Sequence, residues 1–223
     1  DYYASRGLGD VYKRQVQFTP SYFSKRSGFV INQLSGGGCE HMGNFPTFPV
    51  KGKLKMSPDN ILNYRINISE EKGHAGYYEA KVQEDIHAKL TVTERTGMAS
   101  YEYPADQQYG TVIIGGGISA TPIEQAAIVI TAPNKCEGYA EGGNFCGLRT
   151  PYKVYFVAEF DTDALESGTW KRDELKPNTT FAEGEYSGVY FTFDVNKKKN
   201  IQYKIGVSYV SVENARENLK AEN

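Results

Sequence analysis

The chain has 223 residues, a formal net charge of -2 at pH 7, 39% hydrophobic residues and three cysteines. That length buries a core without disulfide help and fits one large β domain or two small ones. The charge balance gives no reason to expect nucleic acid, which would want a basic face, no apolar run reaches the length of a membrane-spanning helix, and the odd cysteine count argues against a disulfide framework.

Residues 1–15, DYYASRGLGDVYKRQ, differ in character from the rest of the chain. There is no initiator methionine and no apolar signal region, and Asp10 to Gln15 resembles a translated sequencing adapter. The segment is therefore set aside from fold reasoning, as an expression scar would be. The most informative stretch is Gly28 to Pro49, GFVINQLSGGGCEHMGNFPTFP. Apolar Phe29, Val30 and Ile31 run through polar Asn32 and Gln33 into Ser35 and Gly36-Gly37-Gly38. Glycines at the end of a strand bring bare backbone close to a ligand or to another part of the protein.

Beyond it, Ser57-Pro58-Asp59-Asn60 signals a turn and Tyr64 to Ile68 alternates weakly. Gly76 to Val82 alternates well, with Tyr78, Ala80 and Val82 on one face, and Ala88, Leu90 and Val92 answer across the polar turn Gln83-Glu84-Asp85. That spacing predicts a hairpin with one buried face. Gly97–Tyr103, Thr111–Ile114 and Ile128–Thr131 read as further strands. Lys153 to Phe160 alternates most clearly. Val189, Phe191, Phe193 and Val195, and then Ile201, Tyr203, Ile205, Val207 and Tyr209, repeat the pattern around a hairpin turn at Lys197-Lys198-Lys199. Only the C-terminus changes period: Ser211 can cap a short helix that places Val212, Ala215 and Leu219 on one face. The helix has no evident closing feature at Ala221-Glu222-Asn223, which reads as a cut chain. Strands roughly ten residues apart, separated by turn residues, predict an all-β antiparallel β-sandwich with a short C-terminal helix.

No catalytic constellation emerges from the motifs. Gly36 to His41 fits neither the dinucleotide fingerprint nor a Walker loop. Ser35 lacks the glycine of a nucleophile elbow, because Gln33 stands there. Cys39 and His41 can share a face but have no orienting partner. Cys136 and Cys146 flank a glycine-rich loop, which leaves a hairpin disulfide open. Asp161-Thr162-Asp163 with Glu166 fails the EF-hand pattern and reads as an acidic turn. Glu94, Glu102, Glu124, Glu137 and Glu159 are scattered, and none forms a privileged acid–base pair. The 17 tyrosines suit half-buried strands and also surfaces that stack on sugars.

Several segments in order resemble the N-terminal domain of glycoside hydrolase family 92, the calcium-dependent exo-α-mannosidases. They are GFVINQLSGGGC with GNFPTFPV, GYYEAKV running into KLTVTERTGMASYEYP, YKVYFVAEFD, and YKIGVSYVSVENARENLKAEN. The resemblance implies a supersandwich-like β-sandwich over residues 16–223, paired in the parent polypeptide with a C-terminal (α/α) barrel catalytic domain. It further implies hydrolysis of α-mannoside glycans with inversion, with the acid and base outside this chain. By the same resemblance, calcium is bound mainly outside this chain and the parent enzyme is secreted or periplasmic. This chain would then be inactive alone, with no catalytic or metal-binding residue of its own. Its expected contribution is one wall of the sugar pocket, from Asn32, Gln33, Ser35, Gly36, Gly37 and Gly38, because amides and exposed N–H groups match vicinal hydroxyls. The equal alternative is that this turn packs on the other domain. Many family members carry histidines at the positions of Val30 to Gln33 and His-Arg at Ala99-Ser100, so linkage preference stays open. A stand-alone carbohydrate-binding sandwich, stacking sugar on Tyr77, Tyr101 and Tyr139, is the second reading. A structural β domain without ligand is the third.

Overall fold

A computed structural model describes residues 18–20, 28–32, 42–59, 67–119, 121–143 and 147–222. Two sheets face each other across one apolar core. The seven-stranded sheet runs β1 (Thr19–Pro20), β2 (Phe29–Val30), β3 (Thr47–Lys51), β8 (Tyr109–Gly115), β15 (Ser187–Asp194), β12 (Glu166–Lys171) and β13 (Glu174–Pro177). The nine-stranded sheet runs β14 (Phe181–Glu183), β9 (Ile123–Ala132), β10 (Lys135–Gly142), β11 (Tyr152–Phe160), β16 (Asn200–Ser208), β7 (Thr96–Glu102), β6 (Ile86–Val92), β5 (Tyr77–Val82) and β4 (Ile68–His74). Every ladder is antiparallel, so the all-β sandwich expected from the alternation is the observed architecture.

The period of two decides which side chains go inside. On β5 Tyr78, Ala80 and Val82 are buried while Tyr77, Glu79 and Lys81 face out half-covered. Val154, Phe156, Ala158 and Phe160 of β11 and Ile201, Tyr203, Ile205 and Val207 of β16 fill the core in the same way. Aromatic rings join at its middle. Phe160 lies 4.9 Å from Phe191, 5.0 Å from Phe193 and 5.4 Å from Tyr203, centroid to centroid.

The structure departs from the sequence reading at definite places. Tyr101 is a core residue, fully buried between Phe29 and Tyr203, so it cannot stack on an external sugar. Tyr209 lies beyond the end of β16 and is exposed, although the alternation carries through it. β15 alternates in sequence, yet Tyr190 and Thr192 are buried as well as Val189, Phe191 and Phe193, because β15 and β8 lie mid-sheet and are covered on both faces. β12, β13 and β14 are short and rimmed with charge, and the periodicity does not announce them. The weak run from Tyr64 enters the described residues only near Ile68, where β4 begins.

The C-terminal helix, α1 (Val212–Ala221), lies on the outer face of the nine-stranded sheet. Ser211 caps it, accepting from the Asn214 N–H at 3.1 Å, and Val212, Ala215 and Leu219 pack on Val157. Gly206 permits the close approach, since a Cβ there would come within 2.6 Å of the Ala215 carbonyl oxygen. A closing feature does exist, although the local sequence does not reveal it. The Glu222 carboxylate accepts from the Thr93 hydroxyl, from the Arg95 backbone N–H at 2.8 Å and from Arg95 Nε at 2.6 Å. Burial alone would raise the Glu222 pKa, but these bonds outweigh it and hold the carboxyl below its ordinary range.

Candidate functional site

Where β2 ends, the chain turns polar, and the two ends of the glycine-rich segment are tied together. Ile31 N–H donates to the Asn44 carbonyl at 3.5 Å, and Asn44 N–H donates to Asn32 Oδ1 at 2.7 Å. Asn32 Nδ2 donates back to Asn44 Oδ1 at 3.0 Å. The two asparagines thus exchange bonds as two neighbouring strands would, although both lie outside any strand.

The nine-stranded sheet reaches into the same cluster. The Tyr152 hydroxyl, at the start of β11, donates to Asn44 Oδ1 at 2.9 Å. Asn32 Nδ2 also reaches the Tyr209 oxygen at 3.4 Å, just past β16. Ser119 Oγ donates to the Met42 carbonyl at 2.8 Å. Burial raises the Tyr152 phenol above its ordinary pKa, and its bonds to Ser119, Asn44 and Thr121 partly offset that. The cluster therefore joins both sheets at one end of the sandwich with neutral amide and hydroxyl groups.

Two further observations set this end apart. The backbone around Asn44 is unusual: Met42, Gly43 and Phe45 have φ of 58°, 77° and 53°. Left-handed conformations in bulky non-glycine residues cost roughly 1–3 kcal/mol each and persist only where surrounding contacts over-determine them. Phe45 is held by Phe156, 4.2 Å away between centroids. In addition, Asn44 Nδ2 is buried without a hydrogen-bond partner. Buried polar atoms are satisfied in the great majority of cases, so this amide marks an interior short of hydrogen bonds.

Of the residues singled out from the sequence, Asn32 is brought into the cluster, 9% exposed. Gln33, Ser35, Gly36, Gly37 and Gly38 lie outside the described residues, as do Cys39, His41 and Cys146. Sequence reasoning does not find Asn44, Tyr152 or Tyr209. Asn44 sits in the quoted stretch, but its partners are distant in sequence, and only the Gly43-Asn44 turn signal hints at it.

Other candidate chemistry resolves into structure. Cys136 is a free, fully buried thiol, so it forms no hairpin disulfide, and burial pushes its pKa well up. Asp161 pairs with Lys198 at 2.7 Å and accepts the Gln202 N–H, and Glu166 pairs with Lys53, which makes 161–166 an acidic turn. Calcium needs six to eight oxygen ligands. Among the described residues no three His, Cys, Asp or Glu side chains converge to hold a metal. No described helix is long and apolar enough to cross a membrane.

The model of the glycosyl hydrolase family 92 N-terminal domain matches residues 11–208. The fold is similar to that of the family 92 glycosyl hydrolase ccman5, with a TM-score of 0.79 and 21% identity over 98% of this chain and 31% of that one. It is also similar to a family 92 α-mannosidase from Bacteroides thetaiotaomicron, with a TM-score of 0.76 and 22% identity over 93% of this chain and 31% of that one. A family 92 inverting mannosidase from the same organism gives a TM-score of 0.69 and 22% identity over 95% of this chain and 26% of that one. The chain thus spans under a third of the length of these neighbours. No curated protein sequence matches it significantly.

Proposed function

The chain belongs to glycosyl hydrolase family 92, and from that premise we propose that it is the sandwich domain of an exo-acting α-mannosidase whose Asn32–Asn44 end forms one wall of the sugar pocket. The observation that carries the reading is the clasp itself: two buried asparagines, two tyrosine hydroxyls and an unpartnered buried amide gathered beside the glycine-rich segment. The Asn32 amide is committed to Asn44, so the clasp serves the pocket wall by fixing where the end of β2 lies. The clasp ties Ile31 and Asn32 to Asn44, so the described chain on either side of the glycine-rich segment is held in place before a sugar arrives.

In this reading the chain binds and orients, and bond cleavage belongs elsewhere in the polypeptide. A carboxylic acid on the following (α/α) barrel domain protonates the leaving oxygen while a carboxylate activates water from the opposite face, giving inversion. Calcium, bound mainly on that domain, would polarise and hold the sugar. The parent enzyme acts on α-mannoside glycans outside the cytoplasm, and this chain alone does not turn them over. The mannosidases among the structural neighbours, all much longer than this chain, support the division.

The reading frame beyond codon 223 tests it. A continuing frame that encodes a helical domain with paired carboxylates is expected, and a stop codon there overturns the proposal. Hydrolysis of an aryl α-mannoside by the purified 223-residue chain would equally contradict it.

A further inference from the structure

Sheets invite further strands at their edges, and the edges of this sandwich are not alike. Among the described residues the seven-stranded sheet ends on β1, two residues long, and on β13, four residues closing on Pro177. The nine-stranded sheet ends on β14, three residues long, and on β4, which has seven. Short edges offer a partner few backbone groups, and a proline has no N–H to give. β4 offers a full strand. Its outer side carries no further strand among the described residues, and Ser69 to Lys72 are exposed.

β4 is not a plain strand, however. Ser69 pairs with Lys81 and Lys72 with Glu79, so Glu70 and Glu71 together face the single residue Ala80. That two-against-one register is a β-bulge, which bends the strand and breaks the regular spacing of its backbone groups. Glu70 has φ of 52°. Glycine is the ordinary occupant of a left-handed bulge position, and a glutamate stands there at a conformational cost. Side chains hold the bulge from both faces of the sheet. Lys81, which faces outward from β5, binds the Glu70 carboxylate at 2.7 Å. On the core side the hydroxyl of buried Tyr78 donates to Glu71 Oε2 at 2.9 Å. One step along, Lys72 pairs with Glu79 at 3.4 Å. A bulge and a carboxylate turned toward the core side are two of the means by which exposed sheet edges block a partner strand.

We propose that the Glu70–Glu71 bulge is a guard on the sheet edge, which keeps β4 from pairing with β4 of a second copy of this chain. The sandwich thereby carries a long open edge without joining its neighbours along it. The guard is built on β4 and β5 and uses no residue of the Asn32–Asn44 end.

Deletion of Glu70 combined with Glu71→Thr tests the proposal, because it restores one-to-one pairing with β5 and removes the core-side carboxylate. Sedimentation velocity and amide hydrogen exchange are measured on the 223-residue chain and on this variant, at low and at high concentration. Wild-type β4 amides are expected to exchange at the same rate at both concentrations. In the variant the sedimentation coefficient should rise with concentration, and β4 exchange should slow by about tenfold or more as it does. If the shortened strand does not fold, seen as loss of a cooperative melt, Glu70→Val/Glu71→Thr puts the same question at full length, since a β-branched residue resists the left-handed bulge. A folded variant that stays monomeric overturns the proposal. So does association that leaves β4 exchange unchanged, and so does slowed β4 exchange at high concentration in the wild type.

Discussion

At the middle of the sandwich Phe160 meets Phe191, Phe193 and Tyr203 ring against ring, whereas at one end Asn44 meets Asn32 and Tyr152 through hydrogen bonds and leaves its own amide nitrogen unpartnered. Both places join the two sheets. The middle does so with large apolar area, which stabilises wherever it is buried and asks little of geometry. The end does so with directional bonds around a left-handed turn, an arrangement that costs stability and persists only where surrounding contacts over-determine it. Stability and placement are thus separated along the strands.

The middle is expected to dominate stability. Phe160→Ala removes a fully buried ring at the junction of both sheets and should cost about 3–5 kcal/mol, read as a lower denaturation midpoint at unchanged slope. Asn44→Ala should cost less, about 1–2 kcal/mol, because it breaks side-chain bonds to Asn32 and Tyr152 while its backbone N–H still reaches Asn32. A loss at Asn44 equal to that at Phe160 would erase the distinction.

The helix lock sharpens the comparison by pH. Glu222 ties the end of α1 to Arg95, whose carbonyl accepts the Val207 N–H of β16 at 3.1 Å. Its folded pKa is lowered, so its contribution is fully present above the unfolded carboxylate value of about 4.3 and is lost as pH falls through the lower folded value. Thermal melts should therefore show wild type above Glu222→Gln at pH 7, with the gap closing below about pH 4. A gap independent of pH would remove the ion pair from the account. The smallest effect belongs to Tyr101→Phe. The Tyr101 hydroxyl is buried with no hydrogen-bond partner, so its removal should change stability by less than about 1 kcal/mol, in either direction. A large loss would reveal a polar network inside the apolar middle.

The elements legible in the sequence are those with one solvated face. β5 and β6 alternate because water lies on one side of them, β11 and β16 alternate except where α1 covers Val157 and Gly206, and α1 shows its Ser211 cap and its Val212, Ala215, Leu219 stripe. Legibility fails where that condition fails. β8 and β15 are covered on both faces, so alternation there carries no exposure information, and Tyr101 sits on a strand whose sequence fits either face. Trp170 is fully buried in β12, a strand too short and too charged at its ends to be recognised. The candidate site was half legible. Asn32 stands out as a polar break in an apolar run, but Tyr152 is bound to Asn44 across 108 residues and Tyr209 to Asn32 across 177, separations that no local pattern reports.

The most direct test of the pocket-wall assignment is the turnover of an aryl α-mannoside by the complete gene product, comparing wild type with Asn32→Ala. The account predicts that the variant keeps its melting temperature within a few degrees and loses about tenfold or more in kcat/KM, as expected when a residue that fixes the pocket wall is removed. An unchanged kcat/KM in a folded variant, or a complete product with no α-mannosidase activity, would contradict it.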